Sequence, residues 1–271
     1  MRLSEWGCAL SLSLLLVGCG NSAHLKVDSK RKPATQIAPD YRVSDSPETK
    51  RRMQVRNQLT RAGQQLQAGD LVSAEKEARA VLKADPGSVD AHTLLAVIES
   101  HKGRNEEAGS HYRRAAELAP GTGALQNNYG AWLCANGYPA ESLVWFDRAL
   151  SDPGYTTPAA ALANAGGCAI ETGQYDRAER DLRQALALDP VNAYALGAMA
   201  RNEYRNGRYF EARAFSERYL ASAPASPDML KLAADIEERL GSSTAAHRYL
   251  QQLQTQFPTA AEAQSGRKAG P

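Results

Sequence analysis

The chain has 271 residues, a net charge of +2 and 23% charged side chains, a balance that argues against nucleic acid as a principal partner. Length alone allows one or two domains. In chain order, residues 1–18 open with Arg2 and run through an apolar stretch from Ala9 to Val17. That stretch is too short to span a bilayer, so it reads as the apolar region of a signal peptide, with Glu5 an untidy charge ahead of it.

The closing Leu16-Val17-Gly18-Cys19 resembles a bacterial lipobox, in which the cysteine is lipidated and becomes the mature first residue. An ordinary secretory signal cleaved nearby is the alternative. Gly20 rather than Asp after Cys19 implies, by the same resemblance, sorting to the outer membrane with the chain on its periplasmic face. Several acyl chains on Cys19 would make a stable anchor, since one chain alone binds only marginally. Residues 19–54 then read as a lipidated N-terminus and flexible tether. Pro33, Pro39 and Pro47 and scattered polar residues leave little apolar surface to bury. As a flexible chain it reaches roughly 30 Å on average. Residues 20–54 carry eight Lys/Arg against four Asp/Glu. Two readings of that basic tether stay open: contact with anionic lipid head groups, or simple solubilisation.

From residue 55 onward one pattern recurs, clearest over residues 159–192. There Gly166 and Ala178 let two helices approach closely, Gly173 marks the turn between them, and Pro190 lies beyond the second helix. Tyr175, Leu162, Leu182, Ala185 and Leu186 are expected to form the seam. The turn glycine recurs as Gly69, Gly103, Gly137, Gly173, Gly207 and Gly241, at intervals of 34, 34, 36, 34 and 34 residues. The small residue seven earlier recurs as Ala62, Ala96, Gly130, Gly166, Ala200 and Ala234. The one five later recurs as Ala74, Ala108, Ser142, Ala178, Ala212 and Ala246. This period and its landmarks resemble the tetratricopeptide repeat. The resemblance implies an all-α, right-handed superhelical solenoid of six helix-turn-helix repeats, at about 55–88, 89–122, 123–158, 159–192, 193–226 and 227–258. A disordered tail is expected over 259–271. Gln58, Arg61 and Gln65 on the first copy suit a terminal repeat. The longer interval falls at SDPGYTTPAA, a tolerated insertion or a functional kink.

In tetratricopeptide arrays the first helices line a concave groove. The resemblance places Asn128 and Asn164 at equivalent positions facing that groove, where amides clamp a bound backbone. Asn127, Ala131, Ala163 and Gly167 are neighbouring groove positions, and Tyr194, Arg201, Tyr204 and Arg205 are expected to form a larger, basic, aromatic wall in the fifth copy. Such a groove suits an amphipathic or acidic peptide. Trp132 and Trp145 read as packing residues. Cys134 and Cys168 lie on first helices of successive repeats; in an oxidising periplasm they could form a disulfide, and two reduced buried thiols are the alternative.

No chemistry emerges. His24, His92, His101, His111 and His247 show no metal-ligand spacing, and neither a GxSxG elbow nor a P-loop is present. The expectation is a protein without catalysis, cofactor, metal, nucleic acid or small-molecule substrate.

The third copy carries LQNNYGAWLC (Leu125, Asn127, Asn128, Tyr129, Gly130, Cys134), followed by the longer connection and Cys168. With the lipobox, these residues resemble the type IV pilus biogenesis/stability family of PilW and PilF. The resemblance implies an outer-membrane lipoprotein of pilotin-like role that helps the pilus secretin, or another pilus assembly protein, reach that membrane and multimerise. Asn128 and Asn164 would hold a secretin backbone while Tyr194 and Tyr204 pack its side chains. A generic periplasmic adaptor for envelope or cell-wall assembly is the alternative. Either way, the junction of repeats three and four is the expected functional centre.

Overall fold

Residues 46–260 are described by a computed structural model. They form α1 (Pro47–Gln67), α2 (Leu71–Ala84), α3 (Val89–His101), α4 (Asn105–Leu118), α5 (Gly123–Ala135), α6 (Pro139–Leu150), α7 (Pro158–Glu171), α8 (Tyr175–Leu188), α9 (Ala193–Arg205), α10 (Tyr209–Ser222), α11 (Pro227–Arg239) and α12 (Ser243–Gln256). Each odd helix folds onto the following even one, and each even helix packs on the next odd one. The result is the solenoid of six tetratricopeptide helix pairs. The leader, Cys19 and the tether as far as residue 45 lie outside the described residues, as does the tail from 261.

Two boundaries shift. The tether was expected to run to residue 54, yet α1 begins at Pro47. Ser46-Pro47-Glu48 is a helix start: the Ser46 hydroxyl accepts from Thr49 N at 3.0 Å, proline occupies the first turn, and an acid faces the positive helix end. An exposed extension needs no apolar face, so low hydrophobicity did not preclude it. At the other end, 258–260 are already helical, where a disordered tail was expected from 259.

The six turn glycines share one conformation. Each has φ between 72° and 89°. After α7, Gly173 N donates to Ile170 O at 3.2 Å and Gln174 N to Ala169 O at 2.8 Å, the paired closure that ends a helix with a left-handed residue. The same two bonds recur at the other five glycines. Close approach explains the small positions: a Cβ on Gly166 would lie 2.5 Å from Leu182 Cγ, and one on Gly130 would lie 2.8 Å from Phe146 Cε1. Ala74, Ala108, Ala178 and Ala212 are wholly buried opposite them. Leu162, Leu182, Ala185 and Leu186 are buried as expected, but Tyr175 is 45% exposed and contributes little to the seam. As the first residue of α8 it lies at the turn edge, outside the stripe that faces α7.

One continuous apolar cluster runs through repeats three to five, from Leu143 and Phe146 to Leu196 and Met199. Trp132 and Trp145 are half-buried against a separate cluster of Ala116, Tyr129 and Leu133. The Trp132 ring lies where a side chain on Gly109 would be, and Trp145 meets Tyr129 edge-on at 4.8 Å with Arg148 over its face at 4.6 Å. The longer connection after α6 folds back on its own repeat. Asp152 accepts from Gly123 N and Gly154 N, both at 2.8 Å, so it caps α5, whose own N-cap Thr122 makes no side-chain bond. Those two amides hold the Asp152 carboxyl below its usual range.

Candidate peptide-binding groove

The side-by-side first helices α5, α7 and α9 carry the residues expected to bind. Their register is set by the small positions: Gly130 and Gly166 face the second helices, which turns Asn128 and Asn164, two places earlier, away from them, while Asn127, three places before Gly130, lies at the flank of α5. Between the two helices Asn164 Nδ2 donates to Asn127 Oδ1 at 3.0 Å, bridging α5 and α7. Two turns along α5, Cys134 is disulfide-bonded to Cys168 of α7, with Cα atoms 6.0 Å apart. The two helices are thus joined by a covalent link and an amide bridge.

Asn128 and Asn164 were expected at equivalent groove positions; the amide that bridges to Asn164 is Asn127. Asn128 looks the other way, into a cleft of about 380 Å³ with Ala131, Trp132, Ser100 of α3 and Tyr112 of α4. Successive helix residues diverge by about 100°, so only one of two adjacent asparagines can face the next helix. Gly167 is not open floor either. The Tyr194 ring occupies the space that a side chain there would need, so the glycine seats the tyrosine. Tyr194 itself remains 48% exposed, and its partial burial raises its phenol above the ordinary range while Arg201 pulls the other way. Tyr204 turns partly inward from the expected wall: it is half-buried, its ring centroid 5.5 Å from that of Tyr209, and its phenol raises the neighbouring Arg239 above its ordinary value. Arg201 and Arg205 are exposed.

Sequence reasoning passed over a polar layer inside the array. Glu99, Glu203 and Glu237 are buried, each four residues before a turn glycine. Glu99 pairs with Arg104 and with Arg79 of the preceding repeat at 2.9 Å; Glu203 pairs with Arg208; Glu237 accepts from Arg213 at 2.7 Å. Beside the first of these, Lys102, Arg79 and Arg104 surround Glu75 and lower its carboxyl to about 2. The signal was available: the recurring Glu and the Gly-Arg steps 103–104 and 207–208 keep the repeat period. A second missed feature is a histidine pair, His92 Nδ1 and His111 Nδ1, 2.9 Å apart.

Among the described residues no group of His, Cys, Asp and Glu could hold a metal ion, and no helix is long and apolar enough to cross a membrane. A face of amides, one aromatic ring and cations without a carboxylate partner among the described residues, on a floor locked by a disulfide, can hold a polypeptide segment.

Helix pairs with positive-φ turn glycines 34 or 36 residues apart define a tetratricopeptide-repeat protein, and models of that repeat match residues 59–122 and 169–236. Among solved structures, that of PilW, described as a widely conserved type IV pilus biogenesis factor, superposes with a TM-score of 0.72 at 32% identity, covering 78% of this chain and 97% of that one. The chain belongs to the PilW family. Type IV pilus assembly protein PilF of Pseudomonas aeruginosa PAO1 is 24% identical over 73% of this chain and 79% of its own length. Cellulose synthase operon protein C of Pseudomonas fluorescens SBW25 is 29% identical over 74% of this chain, which spans only 16% of that protein.

Proposed function

We propose that this protein is a lipid-anchored scaffold of type IV pilus biogenesis that binds the pilus secretin and promotes its assembly at the outer membrane. The observation that carries the reading is membership of the PilW family across 97% of the PilW structure. The repeats supply the means. A groove bridged at Asn127–Asn164 and edged by Tyr194, beside the cleft that Asn128 lines, can hold one partner segment without chemistry. Acylation at Cys19 would keep that groove at the inner leaflet of the outer membrane, within reach of the roughly 30 Å tether.

The test is Cys19→Ser in the full chain. A folded protein that no longer fractionates with the outer membrane, with loss of heat-resistant secretin multimers there, supports the reading. Unchanged multimers at the outer membrane from the unlipidated protein contradict anchoring. A broader adaptor role in envelope assembly draws on the similarity to cellulose synthase operon protein C. It would show as a partner other than a pilus component.

A further inference from the structure

Nineteen arginines lie within the described residues, and their partners separate them. Arg52, Arg61, Arg79, Arg104, Arg113, Arg114, Arg177, Arg180, Arg183, Arg208 and Arg213 each have a carboxylate within 4.0 Å. Arg51 and Arg218 donate to backbone carbonyls, Arg148 lies over Trp145, and Arg239 sits beside the Tyr204 phenol. Of the remaining four, only Arg201 and Arg205 stand together, one turn apart on α9. Tyr194, seven residues before Arg201, lies on the same face. Like charges at this spacing destabilise a helix, and the usual remedy in this chain, a nearby carboxylate, is withheld here. Glu171 of α7 and Glu238 of α11 are exposed but lie beyond 4.0 Å of both guanidiniums. Asp235 of α11 is spent on Lys231, and Glu203 on Arg208.

We propose that Arg201 and Arg205, with Tyr194 as an aromatic lip, form an acidic-side-chain subsite of the groove, filled by two carboxylates of the partner segment. Residues one helical turn apart have Cβ atoms about 5–6 Å apart. An extended strand places the same-face residues i and i+2 about 6.6 Å apart. The matching ligand is therefore an extended stretch with Asp or Glu at alternate positions, each carboxylate taking one planar guanidinium fork. The inference rests on the groove being a peptide site, as proposed above, and adds the chemistry of what enters it.

The experiment replaces Tyr194 with the photo-crosslinker p-benzoylphenylalanine in the full-length protein, expressed in its own cells, and sequences the crosslinked peptide by mass spectrometry. The expected peptide carries two acidic residues at i and i+2. Its yield falls at least tenfold in Arg201→Glu/Arg205→Glu and by less in Arg201→Lys/Arg205→Lys, which keeps the charge and loses the fork, both checked for unchanged melting. A synthetic copy binds the purified full chain, at least tenfold more weakly when its acids are Asn or Gln, and more weakly as salt rises. A neutral or basic crosslinked peptide, a yield indifferent to charge reversal, or no crosslinked peptide overturns the proposal. The two readings fail separately. A neutral segment of the secretin would remove this subsite and leave the pilus role. An acidic segment of an unrelated envelope protein would do the reverse.

Discussion

His92 and His111 share a single proton position. His92 Nε2 lies 3.2 Å from Pro86 O and must donate to it, so in the neutral pair His92 Nδ1 accepts from His111 Nδ1–H. Both rings cannot be cationic at once, because two Nδ1–H groups would then face each other. Burial lowers the affinity of His111 for a proton, and His92 and Arg79 lower it further, against a smaller opposing pull from Glu99. An unfolded chain would charge the His111 ring below the ordinary histidine value of 6.5. Stability from this pair is therefore present above that pH and is lost as pH falls below it. We expect stability to fall as the pH drops from about 7.5 to about 5, a loss that solvent screening of a half-buried ring keeps small. Thermal melts should show it, and His111→Gln should flatten the dependence. A pH profile unchanged by that substitution would exclude the histidine pair as its source.

The buried carboxylates give a second test at the same scale. Glu203 has a fully buried side chain, whereas that of its partner Arg208 is 41% exposed. Removing the arginine strands a buried charge; removing the acid leaves an arginine free to turn into water. Arg208→Ala should therefore cost about 3 kcal/mol, the lower end for breaking a buried pair, and Glu203→Leu distinctly less. Chemical denaturation of both variants checks the order.

At the scale of the element, backbone conformation and packing separate. Gly173→Ala should cost about 1–2 kcal/mol through its left-handed φ alone, since open space surrounds the position. Gly121→Ala has the same open surroundings without that conformation and should be nearly neutral. Asp152→Ala should speed hydrogen exchange at Gly123 N, the amide it caps, ahead of any global unfolding.

These elements also show what could be read beforehand. Turn glycines and small positions were legible because each answers to one local constraint, a positive φ or a close approach, repeated in every copy. The groove was only partly legible. The repeat places Asn127, Asn128 and Asn164 near one face, but which amide meets its neighbour depends on the rotation of α5 against α7. Likewise, Gly167 read as floor because a glycine's sequence position does not reveal that Tyr194, from the next repeat, fills its space. Asp152 was visible only as part of an insertion, since its partner Gly123 lies 29 residues away.

At the scale of the molecule, the continuous core and the covalent link both centre on repeats three to five. The loop closed by Cys134–Cys168 spans 34 residues, for which the chain-entropy relation gives about 3–4 kcal/mol. We therefore expect Cys134→Ser/Cys168→Ser to melt well below the parent under oxidising conditions and level with it under reduction. Equal melting under both conditions would remove the staple from the account. With the amide bridge on the same two helices, the staple presents α5 and α7 as a fixed floor, so a partner would not have to order this part of the groove on binding.

The central claim is that this fixed groove, held at the outer membrane, receives the pilus secretin. Its most direct test is quantitative capture of the full-length protein from detergent-solubilised envelopes, comparing the parent with Asn127→Ala/Asn164→Ala after both are shown to be folded. The secretin should be the major partner of the parent and fall by an order of magnitude or more in the variant. A capture without secretin, or one the groove variant leaves unchanged, would contradict it.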